Sequence, residues 1–440
     1  MKDIKKDFPI LKNNKNIVYL DSTATTQKPS YVIDWMKDYL ENDYANIHRW
    51  SYSLSERSEK MYVKSKKKLA SFINSDNWRE IIYSFNSTYA SNLLVWSLKR
   101  SSYFKKWDKV LVSIVEHHAN IVPRLILAEE VWIEVGYINV KKDFSLDLED
   151  LEKKLDSNVK AISITHVSNV TWEIFDLEKV RKIIDKKYKC HPELDSESLK
   201  YKNTNYYSDS NLEWKKSCKP LFIIDASQSF PHIKIDIKKL WCDFMFFTWH
   251  KFMADSWIWV LWWKKELLEN LKPVFSWWWA ISWVKKDCFL EANLPDRFEP
   301  WTPNLTWALS ILKALEYIEQ IWWYQEIEKI EKELSKYFLE KFGKIKWVKL
   351  IGWENVNSRV WVFSFIVNWI HSHDIADYLA EKNICIRAWQ HCAEPLMWEL
   401  WINHSCRASL YIYNTKKDID IFLKELQIAI NYFSNSNSQQ

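Results

Sequence analysis

A folded enzyme of 440 residues needs many positions with a left-handed backbone, and this chain has only 3 glycines to fill them. It has 29 tryptophans instead, so glycine and tryptophan together match the roughly 31 glycines that average usage would give. The tryptophans also stand where turns are expected. Trp277, Trp278 and Trp279 follow Phe275-Ser276, Trp322-Trp323 follows a helical stretch, and Trp107-Asp108 precedes the strand-like run Val110 to Ile114. A truly tryptophan-rich protein would put three adjacent indoles in one turn, both strained and exposed. We therefore read most of these tryptophans as glycine positions. A gene that uses UGA for glycine, translated with UGA as tryptophan, leaves this pattern.

The other bulk properties exclude several classes. With 62 basic and 57 acidic residues the formal charge is +5, a mixed surface and not a nucleic-acid footprint. No window approaches the roughly 18 consecutive apolar residues of a membrane span, so no membrane partner is expected. Met1 to Ile10 is charged and lacks an apolar signal core. Seven cysteines without paired spacing argue for a reducing compartment. These features point to a cytoplasmic globular protein, large enough for one major domain with a smaller companion.

Short apolar runs alternate with charged helical patterns. Val110 to Val115, Ala161 to Thr165, Leu221 to Asp225 and Phe244 to Thr248 read as buried strands, with helices between them such as Leu148 to Leu155 and Leu177 to Lys187. That alternation implies parallel β-α-β units, an α/β fold whose ligands gather at the carboxyl ends of the strands. Three runs end there in polar residues: Thr165-His166, Asp225, and Thr248-Trp249-His250-Lys251. The pattern lapses over 187–220, read as a surface insertion. Its Cys190 and His191, with Cys218, lack the spacing of a zinc site. Ile327, Ile330, Leu334 and Phe338 mark a helix face, Val360 to Val367 a strand, and Ile375 to Leu379 the start of another helix. The expected division is a large domain over 16–315 and a smaller α+β domain over 316–440, joined by the N-terminal segment 1–15.

A lysine in a tight turn after one buried strand, and an aspartate ending another, are the two anchors of pyridoxal phosphate chemistry. Each alone is more often structural. Lys251 and Asp225, with histidines nearby, make the pair a stronger signal.

At this point the chain resembles the class V pyridoxal-phosphate enzymes, and within them the SufS-type cysteine desulfurases. The matching stretches are Tyr19-Leu20-Asp21-Ser22, Gln27-Lys28-Pro29-Ser30, His48-Arg49-Trp50, Glu116-His117-His118-Ala119-Asn120 and Thr165-His166-Val167-Ser168-Asn169. Arg297-Phe298-Glu299-Pro300-Trp301-Thr302-Pro303-Asn304 and Cys406-Arg407-Ala408-Ser409 complete them. The family motifs carry glycine at Trp50, Trp249 and Trp301, and often an aromatic residue near Trp262. Trp35, Trp78, Trp96 and Trp214 stay open.

The resemblance implies fold type I: a large domain around a mainly parallel seven-stranded sheet, plus a smaller α+β domain. It implies a pyridoxal 5'-phosphate cofactor tethered by Lys251, with Asp225 at the ring nitrogen, His117 stacked on the ring, and Gln228 and Asn169 near the phenolic oxygen. Thr88, Thr248 and His250 match phosphate contacts. Thr302 matches one that arrives from the other subunit of a homodimer. Where relatives read Gly-Thr-Thr-Glu this chain reads Asn86-Ser87-Thr88-Tyr89, and helix capping competes as the role of Ser87 and Thr88. Cys392, in Arg387-Ala388-Trp389-Gln390-His391-Cys392, matches the nucleophile. His391 and Arg387 are the alternatives for favouring its thiolate. Arg407 matches the clamp on the substrate carboxylate, with Asn169 beside it. His118 has no assigned role, and the other six cysteines default to buried apolar residues.

The implied activity is removal of sulfur from L-cysteine, giving L-alanine and a Cys392 persulfide for iron–sulfur cluster assembly. The sulfur would pass to an acceptor protein of the SufE or SufU type. L-selenocysteine is a second candidate substrate. Another class V activity, and a cofactor-free scaffold for sulfur carriers, are the rival readings.

Overall fold

The structure is a computed structural model that describes residues 4–48, 52–188, 219–256, 259–276, 278–300, 302–321 and 324–437. Most of the expected insertion at 187–220, with Cys190, His191 and Cys218, lies outside the described residues. So do Arg49, Trp50, Trp214, Trp277, Trp301, Trp322 and Trp323.

A seven-stranded sheet forms the larger layer. Its order is Ile81–Ser84, Trp259–Trp263, Phe244–Thr248, Leu221–Asp225, Val159–Thr165, Lys109–Ser113 and Glu134–Ile138. Neighbours from Phe244–Thr248 to Glu134–Ile138 pair parallel, and Trp259–Trp263 alone runs against the others. Leu221–Asp225 and Phe244–Thr248 are buried along their whole length. Both faces of such a strand must therefore be covered, which suits a near-continuous apolar run. Alternate side chains divide between two cores: Phe222 and Ile224 enter one, Leu221 and Ile223 the other. The helix Ser87–Arg100 packs on the second face.

The C-terminal part is built on a four-stranded antiparallel sheet, ordered Val348–Ile351, Val362–Val367, Ser405–Ser409 and Arg387–Trp389. The helix face read from Ile327, Ile330, Leu334 and Phe338 lies buried on Tyr324–Phe342. The boundary drawn at 315 falls inside the helix Leu305–Ile321, which packs along Ser30–Asn42 and Ser53–Phe72, so the division belongs past Ile321. The N-terminal segment does join the C-terminal part. Phe8 meets the Tyr413 ring edge-on at 4.9 Å, and Val18–Tyr19 pairs parallel with Ile384–Cys385. Among the described residues no helix is long and apolar enough to cross a membrane.

Among the described residues, half of the sixteen non-glycine positions with positive φ are tryptophans: Trp107, Trp132, Trp172, Trp241, Trp347, Trp369, Trp389 and Trp401. All except Trp172 are exposed. Trp132 and Trp241 end the helices His118–Val131 and Ile237–Leu240 in the left-handed conformation that glycine favours there. Gly352 shows what such a place demands. Its φ is +105°, and a Cβ on it would lie 2.2 Å from the Thr171 carbonyl oxygen. Trp389 carries nearly the same φ, 110°, with an indole attached.

Candidate active site

The site forms where the parallel strands end. Thr165 and Asp225 are register partners at the last position of their strands. Thr248 closes the next one, and the chain turns through Trp249, His250 and Lys251 before returning as Trp259–Trp263. The turn is fixed from outside: the backbone N–H of Thr26 and its hydroxyl both donate to the His250 carbonyl, at 2.8 and 3.0 Å. Trp249 is fully buried in it with its indole N–H unpaired, whereas the buried Trp262 donates its own to Glu80 at 3.0 Å. That contrast fits a genuine tryptophan at 262 and a glycine at 249.

A fourth strand end, that of Lys109–Ser113, carries Glu116 and His117 into the helix His118–Val131. Glu116 is completely buried and accepts from the Ser113 hydroxyl, from Asn120 Nδ2 at 2.6 Å and from the Thr165 N–H at 2.7 Å. Burial pushes its carboxyl up to about 7, against those hydrogen bonds. His117 caps the helix, its Nδ1 accepting from the Ala119 N–H at 3.1 Å. Burial, then the nearby Lys251, hold its imidazole down at about 3, so the ring is neutral with its proton on Nε2.

These ends enclose a pocket of about 330 Å³. Thr88, His117, Asn169, Asp225, Gln228, Thr248, His250, Lys251, Cys392 and Arg407 all line it. Thr302 does not; it is exposed and outside the pocket. Burial pushes the Lys251 amine down to about 8, opposed by Asp225 and reinforced by Arg407 and Arg387. Burial raises Asp225 in turn, against the Ser227 N–H that donates to its Oδ1 at 2.8 Å and the charge of Lys251. Two charged groups thus share a dry site where neither is well solvated, a pattern typical of functional sites. Burial, then Lys251, also hold His250 down at about 3.

Two arginines share the carboxylate of Asp21. Arg407 is buried with Nη2 3.7 Å from Oδ1, and its Nη1 donates to the Asn169 carbonyl at 3.2 Å. Arg387 is half-exposed, with Nη2 3.2 Å from Oδ2. Cys392 is exposed on the loop between them, near both Lys251 and Arg407. His391 is buried, its Nε2 2.9 Å from the Ser405 hydroxyl, and burial pushes it well below the usual imidazole range. It is uncharged, which leaves Lys251 and the guanidiniums as the cations near the thiol.

The structure also revises several assignments. Asn86 caps the helix Ser87–Arg100, accepting from the Tyr89 N–H at 2.6 Å, which removes capping as the role of Ser87 and Thr88. Asn169 donates its amide to the His391 carbonyl at 2.6 Å, so its side chain holds the cysteine loop. His118 is bonded to that loop too. Cys242 and Cys406 are buried, but Cys288 and Cys385 are only partly so. Ser227 was not singled out by sequence; its hydroxyl lies 3.1 Å from that of Ser87 at the pocket wall. The only sequence signal for it is a hydroxyl two residues past a strand-ending aspartate.

Comparison with known proteins agrees with this geometry. The aminotransferase class-V family model matches residues 18–199 and 211–422. A probable cysteine desulfurase of Synechocystis sp. is 32% identical over 438 residues, covering 99% of this chain and 96% of that one. The apo structure of a cysteine desulfurase from Thermococcus onnurineus NA1 is 30% identical, with a TM-score of 0.86 and 98% of both chains covered. C-DES, solved with glycine covalently linked to its pyridoxal phosphate cofactor, shares the fold at 17% identity and a TM-score of 0.77, with 96% of this chain and 98% of that one covered. With the family model matching most of its length and a relative 32% identical over 99% of it, this chain belongs to the class-V aminotransferases.

Proposed function

We propose that this chain is a cysteine desulfurase, taking sulfur from L-cysteine, releasing L-alanine and holding the sulfur as a persulfide on Cys392. One observation carries the reading: a single pocket brings together Lys251, Asp225, a buried arginine and a thiol on an exposed loop. Pyridoxal phosphate, when bound, supplies the electron sink that makes an amino acid's α-proton removable.

The residues present fit that group. Thr248 Oγ1 and Gln228 Oε1 are buried in the pocket without partners; the Thr248 hydroxyl can donate to a phosphate, and the Gln228 amide nitrogen can donate to a ring oxygen. The start of the 14-residue helix Ser87–Arg100 lines the same wall, where free N–H groups favour an anion. Thr88, Thr248, His250 and Ser227 would hold the phosphate, Asp225 the ring nitrogen, His117 the ring face and Lys251 the covalent tether. Thr302, outside its own pocket, serves the other subunit of a homodimer.

The chain's own residues then divide the work. Arg407 grips the substrate carboxylate in a two-pronged contact. Lys251, whose amine loses its proton easily here, takes the α-proton. Cys392 attacks as its thiolate, the nucleophilic form of the side chain. Its Sγ bonds to the substrate sulfur as the carbon–sulfur bond breaks, and the electron pair of that bond stays with the carbon fragment. Protonation of that fragment gives alanine. A cytoplasmic acceptor of the SufE or SufU type removes the persulfide sulfur for iron–sulfur cluster assembly.

The test is Cys392→Ala. It should keep the cofactor's absorbance, form no persulfide and release only background alanine from L-cysteine. Full sulfur release by the variant would overturn the nucleophile assignment. Selenide release from L-selenocysteine should survive, because selenium leaves without a thiol's help.

A further inference from the structure

The cysteine loop is bent in a way its own residues disfavour. Trp389, His391 and Cys392 have φ of 110°, 54° and 56°. A side chain in that region is strained, and such strain persists only where the surroundings impose it. A glycine at 389 would relieve that position but not 391 or 392.

Contacts from three segments impose the bend. Asn169 donates to the His391 carbonyl, and Ser405 holds the His391 ring. The third segment is the start of the helix His118–Val131, and its contact is reciprocal. The His118 backbone N–H, one of the helix's free first donors, donates to the Cys392 carbonyl at 2.9 Å. In return, the Glu394 N–H donates to the ring Nε2 of His118 at 3.2 Å. Glu394 starts the helix Glu394–Glu399, whose N-cap Ala393 offers no side-chain bond. The His118 ring thus supplies the cap that the loop's own sequence lacks.

We propose that His118 is the positioning residue of the sulfur-transfer step. Through its backbone N–H and its ring Nε2, it pins the stretch from the Cys392 carbonyl to the Glu394 N–H onto the helix that His117 caps. The inference rests on the desulfurase reading for its kinetic consequence but not for its structural one. The carboxylate of Glu394, 3.6 Å from Nε2, is secondary, because the backbone N–H already occupies that nitrogen.

The test compares His118→Phe, which removes the acceptor, with His118→Gln, whose side-chain oxygen can replace it, in the cofactor-loaded enzyme. Deuterium uptake across 388–397 should quicken about tenfold in H118F, the loss expected for one such hydrogen bond, and return within about threefold of the parent in H118Q. The kcat for alanine formation should fall about tenfold in H118F while KM for L-cysteine and the cofactor absorbance hold, and H118Q should recover most of it. Parent-like uptake and kcat in H118F would overturn the proposal, as would H118Q falling as far as H118F. If H118F does not fold, H118A carries the same comparison. An inactive parent that still shows the uptake difference would count against the desulfurase reading and leave the clamp standing.

Discussion

Replacing the seven exposed left-handed tryptophans, at 107, 132, 241, 347, 369, 389 and 401, by glycine should stabilise the protein. Each left-handed side chain costs about 1–2 kcal/mol. Part of that is returned, because glycine is more disordered when unfolded, which leaves a net gain of about 1 kcal/mol per site. Ring contacts reduce the sum. Trp347 and Trp369 meet at 4.7 Å, Trp389 stacks on His373 at 5.1 Å, and Lys106 lies within about 5 Å of both Trp107 and Trp132. Each such contact is worth about 0.5–1 kcal/mol, so the seven together should yield about 4 kcal/mol. That is a large fraction of the roughly 5–15 kcal/mol by which folded proteins are stable.

Urea unfolding followed by circular dichroism reads the difference as a higher midpoint at unchanged slope. Trp262→Gly is the opposing control. Its indole is buried and bonded to Glu80, and its removal should cost about 3–5 kcal/mol. A sevenfold variant no more stable than the parent, or less, would refute both the strain argument and the reading of these positions as glycine.

Two further outcomes follow from the pocket. Attachment of pyridoxal phosphate to the apo protein needs Lys251 uncharged, so its rate should climb with pH and level off above about 8. An ordinary lysine would keep climbing to about 10.4, and such a profile in stopped-flow absorbance would count against the buried amine. Arg407→Lys should lower kcat/KM for L-cysteine about a hundredfold, mostly through KM, because one ammonium cannot reproduce the two-pronged grip. A change under about threefold would remove Arg407 from the substrate clamp.

The central strands were legible because burial on both faces leaves no room for polar residues until the strand ends. Phe244–Thr248 and Leu221–Asp225 show this, and their terminal polar residues marked the site. The antiparallel Trp259–Trp263 was less legible, because its run of three tryptophans in five residues obscures the β-branched pattern of a strand. Arg407, Lys251 and Asp225 stood out through motif and position. His118, Asn86 and Ser227 did not, for their roles lie in backbone contacts across large sequence gaps, such as that between His118 and Cys392. The cap at Asn86 was hidden because the hydroxyls beside it, Ser87 and Thr88, are themselves common helix starters.

The residues lining the pocket emerge from the ribosome in a telling order. Thr23 and Ala24, then Asn86 through Lys251, come first, while Arg387, Cys392 and Arg407 belong to the strands and loop of the C-terminal sheet. A nascent polypeptide halted anywhere in between carries the lysine anchor but neither guanidinium nor thiol.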